Sequence, residues 1–211
     1  MKIERHPAPE SLMSCSAGSM PEALAAVMAS HIDLCEHCRR ELAVMETIGA
    51  ALFEQLPPTP VEASSIDANG VEAPVTPSRQ AAAGDVPLPL RKYVGTSLKD
   101  IRWKWVAPGI WQHRLPLSDG SDASLRLIKV SPGLALPDHG HNGSELTLVL
   151  QGSFEDPSGI YRVGDVADMD ESNEHAPVAA ADQECICLIA SEGPMRFNGF
   201  LARIVQKLTG F

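Results

Sequence analysis

A histidine and two cysteines near the N-terminus have the residue types and spacing of a zinc site. His31, Cys35 and Cys38 are four and three residues apart in a segment with helical hydrophobic periodicity. Their side chains are therefore expected on nearly one face of a helix. Zinc in structural sites takes four thiolate or imidazole ligands in a tetrahedral shell. The sequence predicts a closed structural zinc site with one ligand still to be supplied.

Two upstream residues are candidates for that fourth ligand. His6 is favoured, because a short first helix can fold the segment before it back against this face, and Cys15 is the alternative. His37 would point about 100° away from Cys38 on a helix and is expected to face solvent. A redox role for the C-x-x-C pair is a further alternative. Redox pairs usually open a helix after a strand, whereas this pair lies between two predicted helices.

A second set of metal donors lies far downstream, in a region of predicted strands. The pattern G-x5-H-x-H-x3-E-x6-G contains His139, His141 and Glu145. Residues two apart on a strand share a face, and the Asn142-Gly143 turn is expected to form a hairpin that brings the glutamate to the same interior. His175 is expected to be the fourth ligand. Imidazole and carboxylate donors suit zinc, iron, manganese or nickel in a more open site.

Helices are expected to position the first set of donors. A short helix is predicted at 11–15, ending near Gly18, and a capping box that starts at Ser19 predicts the start of the next. A further helix is expected from about residue 36 to 56, where Pro57-Pro58 stops it. Each of the two longer helices carries a row, or stripe, of apolar residues that is expected to pack in the core. The alternative is that part of a stripe faces a partner. The stripes are Leu24, Val27, Met28 and Ile32, and then Leu42, Met45, Ile48, Leu52 and Leu56.

Composition changes twice along the chain and predicts two domains, α and then β. Residues 1–56 form the predicted zinc-binding helical bundle, and residues 57–90, with seven prolines, the predicted linker. Residues 91–211 contain short apolar runs separated by turns, as in an all-β sandwich or barrel. The runs are Leu125–Val130, Leu146–Leu150, Tyr161–Val163 and Cys185–Ala190. A final helix or strand is expected near 201–208.

Charge and cysteine content limit the function classes. The net charge of −10 disfavours direct nucleic-acid binding, which needs basic patches. Residues 1–56 carry 4 Lys/Arg against 8 Asp/Glu, a net of −4, so the helices suit a basic protein partner such as a DNA-binding protein. Five cysteines argue for metal or redox chemistry rather than disulfides. No secretory signal or membrane span is visible, so a cytoplasmic protein without a membrane partner is expected.

The downstream pattern resembles the first motif of the cupin superfamily. The resemblance implies a jelly-roll barrel, the double-stranded β-helix, that holds a metal through His139, His141, Glu145 and His175. Gly164-Asp165 fits the start of the second cupin motif, but Asp170-Glu171-Ser172 replaces its usual Pro-x-Gly, and Ala179 replaces its usual asparagine. These departures weaken an enzymatic interpretation more than a metal-binding one.

The ordered pair of clusters resembles the ChrR family of zinc anti-sigma factors over nearly the whole chain. The resemblance rests on His6, the His31-x3-Cys35-x2-Cys38 signature and the cupin-like donors, with support from Cys185-Ile-Cys187-Leu188 and Arg196-Phe197-Asn198. It implies that the helical domain binds an extracytoplasmic-function (group IV) sigma factor and keeps it from RNA polymerase. The cupin-like domain would release it in response to singlet oxygen or organic peroxide. Such proteins usually carry a fourth helix, whereas prolines and glycines interrupt residues 59–80 here.

Alternatives stay open on three questions: the role of the cupin motif, the role of the downstream cysteines and the mechanism of release. The cupin motif also suits a metal-dependent dioxygenase or related oxidoreductase, or a metal-dependent binding module without catalysis. Cys185 and Cys187 alternate on one strand face and are expected to be buried apolar residues, with redox sensing as the alternative. The release signal could act through metal loss, cysteine oxidation or proteolysis.

Overall fold

The computed structural model describes residues 2–60, 84–118, 123–193 and 196–197, and in these residues four α-helices precede twelve strands. The helices are α1 (Pro9–Ser16), α2 (Glu22–Leu34) and α3 (Glu36–Phe53), followed by the short α4 (Arg91–Val94) between 3-10 turns at Leu88–Leu90 and Leu98–Asp100. The strands are β1 (Lys104–Ala107), β2 (Ile110–Arg114), β3 (Ser124–Val130), β4 (His139–Gly140), β5 (Glu145–Gln151), β6 (Ser153–Asp156), β7 (Gly159–Arg162), β8 (Val166–Met169), β9 (Glu174–His175), β10 (Val178–Ala179), β11 (Cys185–Ser191) and β12 (Arg196–Phe197). The predicted order of helices and then strands is confirmed.

The predicted capping box at Ser19 is wrong. Helix α2 begins at Glu22 after Pro21, and no side chain caps its first turn. The Ser19 hydroxyl instead donates to the carbonyl of Ser14, across the turn at Gly18 that ends the first helix. Glu22 accepts a hydrogen bond from the backbone amide of Ser118, far along the chain. A local contact thus occupies Ser19 and a long-range contact occupies Glu22, so neither polar group forms the predicted cap.

The helix break at Cys35 also differs from the expected single helical face. Cys35 has extended backbone angles, φ −105° and ψ 107°, and serves as the N-cap of α3. His31 therefore lies in the last turn of α2, and Cys38 lies in the first turn of α3. The three donors come together around a bend between two helices.

The strands form one large antiparallel sheet and two small ones. The large sheet has the order β1-β2-β3-β11-β5-β8, and the small sheets have the orders β10-β6-β7 and β12-β4-β9. Strand β11 pairs with both β3 and β5, although it follows them late in the chain. Such long-range antiparallel pairing is characteristic of jelly-roll architectures.

The turn at Asn142-Gly143 does not form the predicted hairpin. Gly143 has a φ of 93°, as a tight turn requires. However, β4 pairs with β9 and β12, whereas β5 pairs with β11 and β8. The turn carries the chain from one sheet to another. Sequence alternation identifies strands but does not identify their partners, so the hairpin was predicted wrongly.

One hydrophobic core spans the helices and the large sheet. Val27 and Met28 of α2 are fully buried in the same cluster as Leu127, Leu148 and Leu188 of the sheet. The predicted α2 stripe is therefore confirmed as core. A second cluster fills the interior of the barrel. Because these α2 side chains are removed from water against the sheet, α2 makes the main hydrophobic contact between the helices and the strands.

The end of the predicted linker packs into that shared core. Val86 and Leu90 are buried, and the amide of Leu88 donates to the Asp33 carboxylate on α2. The part of the linker at 61–83, where the fourth helix was considered, lies outside the described residues, as does the element expected near 201–208. The domain boundaries stay a prediction.

The stripe on α3 is buried only at its beginning. Leu42 and Met45 pack partly against the core, whereas Ile48 and Leu52 are 56% and 61% exposed. Val44, Phe53 and Leu56 are also exposed. The prediction of ordinary core is wrong for the second half of this helix, because the helix extends beyond the elements that cover its first turns.

Among the described helices, none is both long and apolar enough to cross a membrane.

Candidate metal centres

The N-terminal cluster gathers donors from three separate segments. His31 ends α2, Cys35 lies at the bend, and Cys38 opens α3, while His6 arrives from the extended residues before α1. Three of the four residues are buried, and His6 is half-buried. Cys15, the alternative fourth ligand, is not part of this cluster. His37 is exposed as expected, although its ring lies 4.7 Å from the ring of His6.

The distances between the donor atoms fit a tetrahedral metal ion. Nε2 of His31 lies 3.2 Å from Sγ of Cys38, and Nδ1 of His6 lies 3.3 Å from Sγ of Cys38 and 3.4 Å from Sγ of Cys35. Zinc bonds of about 2.0 Å to nitrogen and 2.3 Å to sulfur give nitrogen–sulfur edges of about 3.5 Å. The four residues therefore form a cage of the right size and donor chemistry for such an ion.

A carbonyl from the cupin-like part orients His31. Nδ1 of this ring donates to the carbonyl oxygen of Gly164, at 2.9 Å, which leaves Nε2 for a metal. Burial lowers the pKa of His31 to about 4, so the ring is neutral at physiological pH. Burial and the adjacent Cys35 raise the pKa of the Cys38 thiol to about 12. A cation is required to stabilise the thiolate form of Cys38 at neutral pH.

The C-terminal cluster lies inside the strand framework and is buried throughout. His139, His141, Glu145 and His175 are 4%, 2%, 2% and 8% exposed, and their donor atoms all lie within 4.8 Å of one another. His139 and His175 are direct partners across β4 and β9, and Glu145 is the first residue of β5. The structure thus brings together all the predicted donors of this site.

Hydrogen bonds turn two of these imidazoles toward a common centre. Nδ1 of His139 donates to the carbonyl of Pro137 at 2.8 Å, and Nδ1 of His175 donates to the Asp156 carboxylate at 2.9 Å. Within the described residues, Nε2 of His175 and Nε2 of His141 have no hydrogen-bond partner, and Nδ1 of His141 lies 3.3 Å from Oε2 of Glu145. Buried polar atoms without partners are costly, and a metal ion would satisfy them. Three imidazoles and a carboxylate suit zinc or another divalent metal.

The charge balance of this site also favours a cation. Burial opposes ionisation of Glu145, but hydrogen bonding by His141 and the positive potential of all three histidines outweigh it and hold its pKa below the usual value. Burial lowers the pKa of His139, so neutral imidazole predominates there. Glu145 and His139 are therefore deprotonated donors at neutral pH.

Cys185 and Cys187 are both buried on the inner face of β11, as predicted. Their sulfur atoms lie 3.6 Å apart. Hydrogen bonding with Cys185 and burial raise the pKa of Cys187 well above its usual value. Both sulfurs pack in the barrel cluster as small apolar groups.

Two carboxylates that matter to the clusters escaped the sequence analysis. Asp156 accepts a hydrogen bond from His175, nineteen positions away, and Asp165 accepts hydrogen bonds from the two residues that precede His6. Gly164-Asp165 was recognised only as part of a cupin motif. No local spacing links these residues to the ligands they support.

Comparisons with known proteins agree with this arrangement. The profile of the ChrR cupin-like domain matches residues 91–195. The anti-sigma-E factor ChrR of Cereibacter sphaeroides is 38% identical over 212 residues, which covers 98% of both chains. The chain belongs to the ChrR family of anti-sigma factors. This relative is a regulatory protein and not an enzyme, so the cupin dioxygenase interpretation is set aside.

A solved structure supports the same family. A chain in the crystal structure of Rhodobacter sphaeroides SigE in complex with the anti-sigma ChrR superimposes with a TM-score of 0.77 at 36% identity. The match covers 90% of this chain and 99% of that one. The ChrR fold therefore includes both the helical and the cupin-like parts described above.

Proposed function

We propose that this protein is an anti-sigma factor that binds an extracytoplasmic-function sigma factor and keeps it from RNA polymerase. The observation that carries the proposal is the match to an anti-sigma-E factor over 98% of the chain. It is supported by the fold shared with a ChrR that is in complex with SigE. The protein would act in the cytoplasm, where its partner works, with no direct contact to nucleic acid.

The exposed apolar residues on the second half of α3 and at its end are the proposed sigma-binding surface. Val44, Ile48 and Leu52 recur every four residues on α3, Leu56 follows the end of this helix, and all four side chains are more than half exposed. A run of large apolar side chains along one helix face is typical of a protein interface. The net charge of −4 over residues 1–56 complements a basic DNA-binding partner.

Zinc is the proposed metal of the N-terminal site. Two thiolates and two imidazoles in a tetrahedral cage are the donor set of structural zinc. The ion would fix the bend between α2 and α3 and thereby the direction of the partner-binding helix. His6, His31, Cys35 and Cys38 are its proposed ligands.

The cupin-like part is proposed to receive the signal. Its site would hold zinc or another divalent metal through His139, His141, Glu145 and His175, and release of the sigma factor would follow oxidative stress such as singlet oxygen or organic peroxide. The shared core between α2 and the large sheet provides a physical connection from this part to the helices.

Co-purification with a co-expressed extracytoplasmic-function sigma factor tests the proposal. The double variant Ile48→Asp/Leu52→Asp places two charges in the apolar face and is expected to abolish co-purification. Trp105→Asp, which alters an equally exposed apolar residue on β1, is the matched control and should bind normally. Full binding by the double variant would exclude this surface. Failure of the wild-type chain to bind any such sigma factor would exclude the function.

A further inference from the structure

We propose that Asp165 of the cupin-like part is a positioning residue for the N-terminal metal site, because it holds the segment that carries His6. This segment, residues 2–8, is called the N-terminal arm. The inference rests on the proposed metal site and adds a residue from the cupin-like part to its supporting structure.

Asp165 binds the arm directly through backbone hydrogen bonds. One carboxylate oxygen accepts from the amides of Glu4 and Arg5, at 2.8 and 3.0 Å. The other oxygen accepts from the amide of Arg162, at 2.8 Å, and closes the turn between β7 and β8. The residue is buried, so these bonds are shielded from water. A single carboxylate therefore joins the arm to the β7–β8 turn.

Further bonds to β8 fix the arm on both sides of His6. The carbonyl of Arg5 accepts from the amide of Val166 at 3.2 Å, and the amide of Ala8 donates to the Asp168 carboxylate at 2.9 Å. The bonds at residues 5 and 8 bracket the histidine. The backbone of His6 is thereby held at the edge of the large sheet, and its Nδ1 is directed at the two cysteines.

The side chain of Arg5 anchors the arm to β7 as well. Its Nε donates to the carbonyl of Ile160 at 3.0 Å, and its Nη2 donates to the carbonyl of Ser158 at 2.7 Å. The guanidinium also lies 4.6 Å from the ring centroid of Tyr161. A planar guanidinium suits this two-carbonyl contact. The arm thus behaves as an added edge segment of the cupin-like part.

This arrangement divides the support of the N-terminal ligands between two parts of the molecule. The thiolates of Cys35 and Cys38 are placed by the helices, whereas the imidazole of His6 is placed by the cupin-like part. Loosening the contact between β8 and the arm would withdraw the His6 ligand and leave the two thiolates in place. Retention of the metal in the partner-binding helices would then depend on an intact cupin-like part.

Cobalt(II) release from the full-length chain tests this inference. Thiolate ligands give cobalt an intense near-ultraviolet charge-transfer absorption, so this band reports on the N-terminal site and not on the His/Glu site. The band's decay in excess EDTA measures the release rate. Asp165→Asn is expected to accelerate release by about tenfold to a hundredfold, the usual cost of disturbing an outer-shell partner. Asp182→Asn, which alters an exposed carboxylate before β11, should stay within about twofold of wild type.

Two further variants separate a positioning role from general destabilisation. Arg5→Ala loosens the arm without altering the buried carboxylate and should also accelerate release. In a His6→Ala background, Asp165→Asn should add less than about threefold, because the ligand it positions is already gone. A full effect in that background, or an unchanged release rate in the wild-type background, would overturn the inference alone. A wild-type chain without the charge-transfer band would overturn the proposed metal site as well.

Discussion

The two candidate metal centres differ in how the chain builds them. The C-terminal cluster lies within paired strands, with all four residues buried and two imidazoles oriented by fixed acceptors. The N-terminal cluster joins a helix end, a bend and an extended arm, and its fourth residue is only half-buried. A site held by strand pairing resists local change, whereas a site assembled from three segments depends on tertiary contacts. The difference suggests that the N-terminal centre is the one more readily disassembled.

The largest expected effect is the loss of the N-terminal site in the Cys35→Ser/Cys38→Ser variant. Hydroxyls do not replace thiolates as zinc ligands, so the bend between α2 and α3 would lose its cross-link. The variant is expected to bind one fewer metal equivalent and to lose sigma-factor binding, as measured by metal analysis and co-purification.

Cys185→Ser/Cys187→Ser is the matched control for that variant, since it removes two buried thiols outside the cluster. It should retain both metal equivalents and bind the sigma factor. If the Cys35→Ser/Cys38→Ser variant binds the sigma factor normally, the metal does not support the partner-binding surface.

A smaller effect is expected when the C-terminal site loses its supporting carboxylate. Asp156→Asn replaces the charged acceptor of His175 by a neutral one and should weaken metal affinity there by about tenfold to a hundredfold. Competition with a chelator measures this affinity. The N-terminal site of the same variant should be unaffected, and an equal loss at both sites would mean that they are not independent.

The sequence predicted both donor sets but not the residues that hold them. Ligand spacing is a local property, so His31-x3-Cys35-x2-Cys38 and the His/Glu pattern were visible directly. The contact of Asp165 with Glu4 joins residues 161 positions apart, and no spacing rule reaches that far. The capping box and the hairpin failed because the partners of Glu22 and β4 lie far along the chain, and because Ser19 donates to Ser14 in the turn before the helix.

The smallest expected effect distinguishes the two sites by pH. A metal must displace the proton of Cys38, whose pKa is raised to about 12, so affinity at the N-terminal site should fall by at least about tenfold as the pH falls from 8 to 7. His31, with a pKa of about 4, stays neutral and contributes nothing in that range. At the C-terminal site, the lowered pKa values of Glu145 and His139 mean that these two donors release no proton in that range, so a smaller change in affinity is expected. Metal titrations at the two pH values check this, and equal slopes would contradict it.

X-ray absorption spectroscopy of the zinc-loaded full-length chain tests most directly whether one protein holds two different metal centres. Two sulfurs and two nitrogens at one site, with three nitrogens and one oxygen at the other, predict an average of one sulfur at about 2.3 Å and three nitrogen or oxygen neighbours at about 2.0–2.1 Å per zinc. A spectrum without a sulfur shell would contradict the proposed N-terminal centre. A spectrum dominated by sulfur would contradict the proposed His/Glu centre.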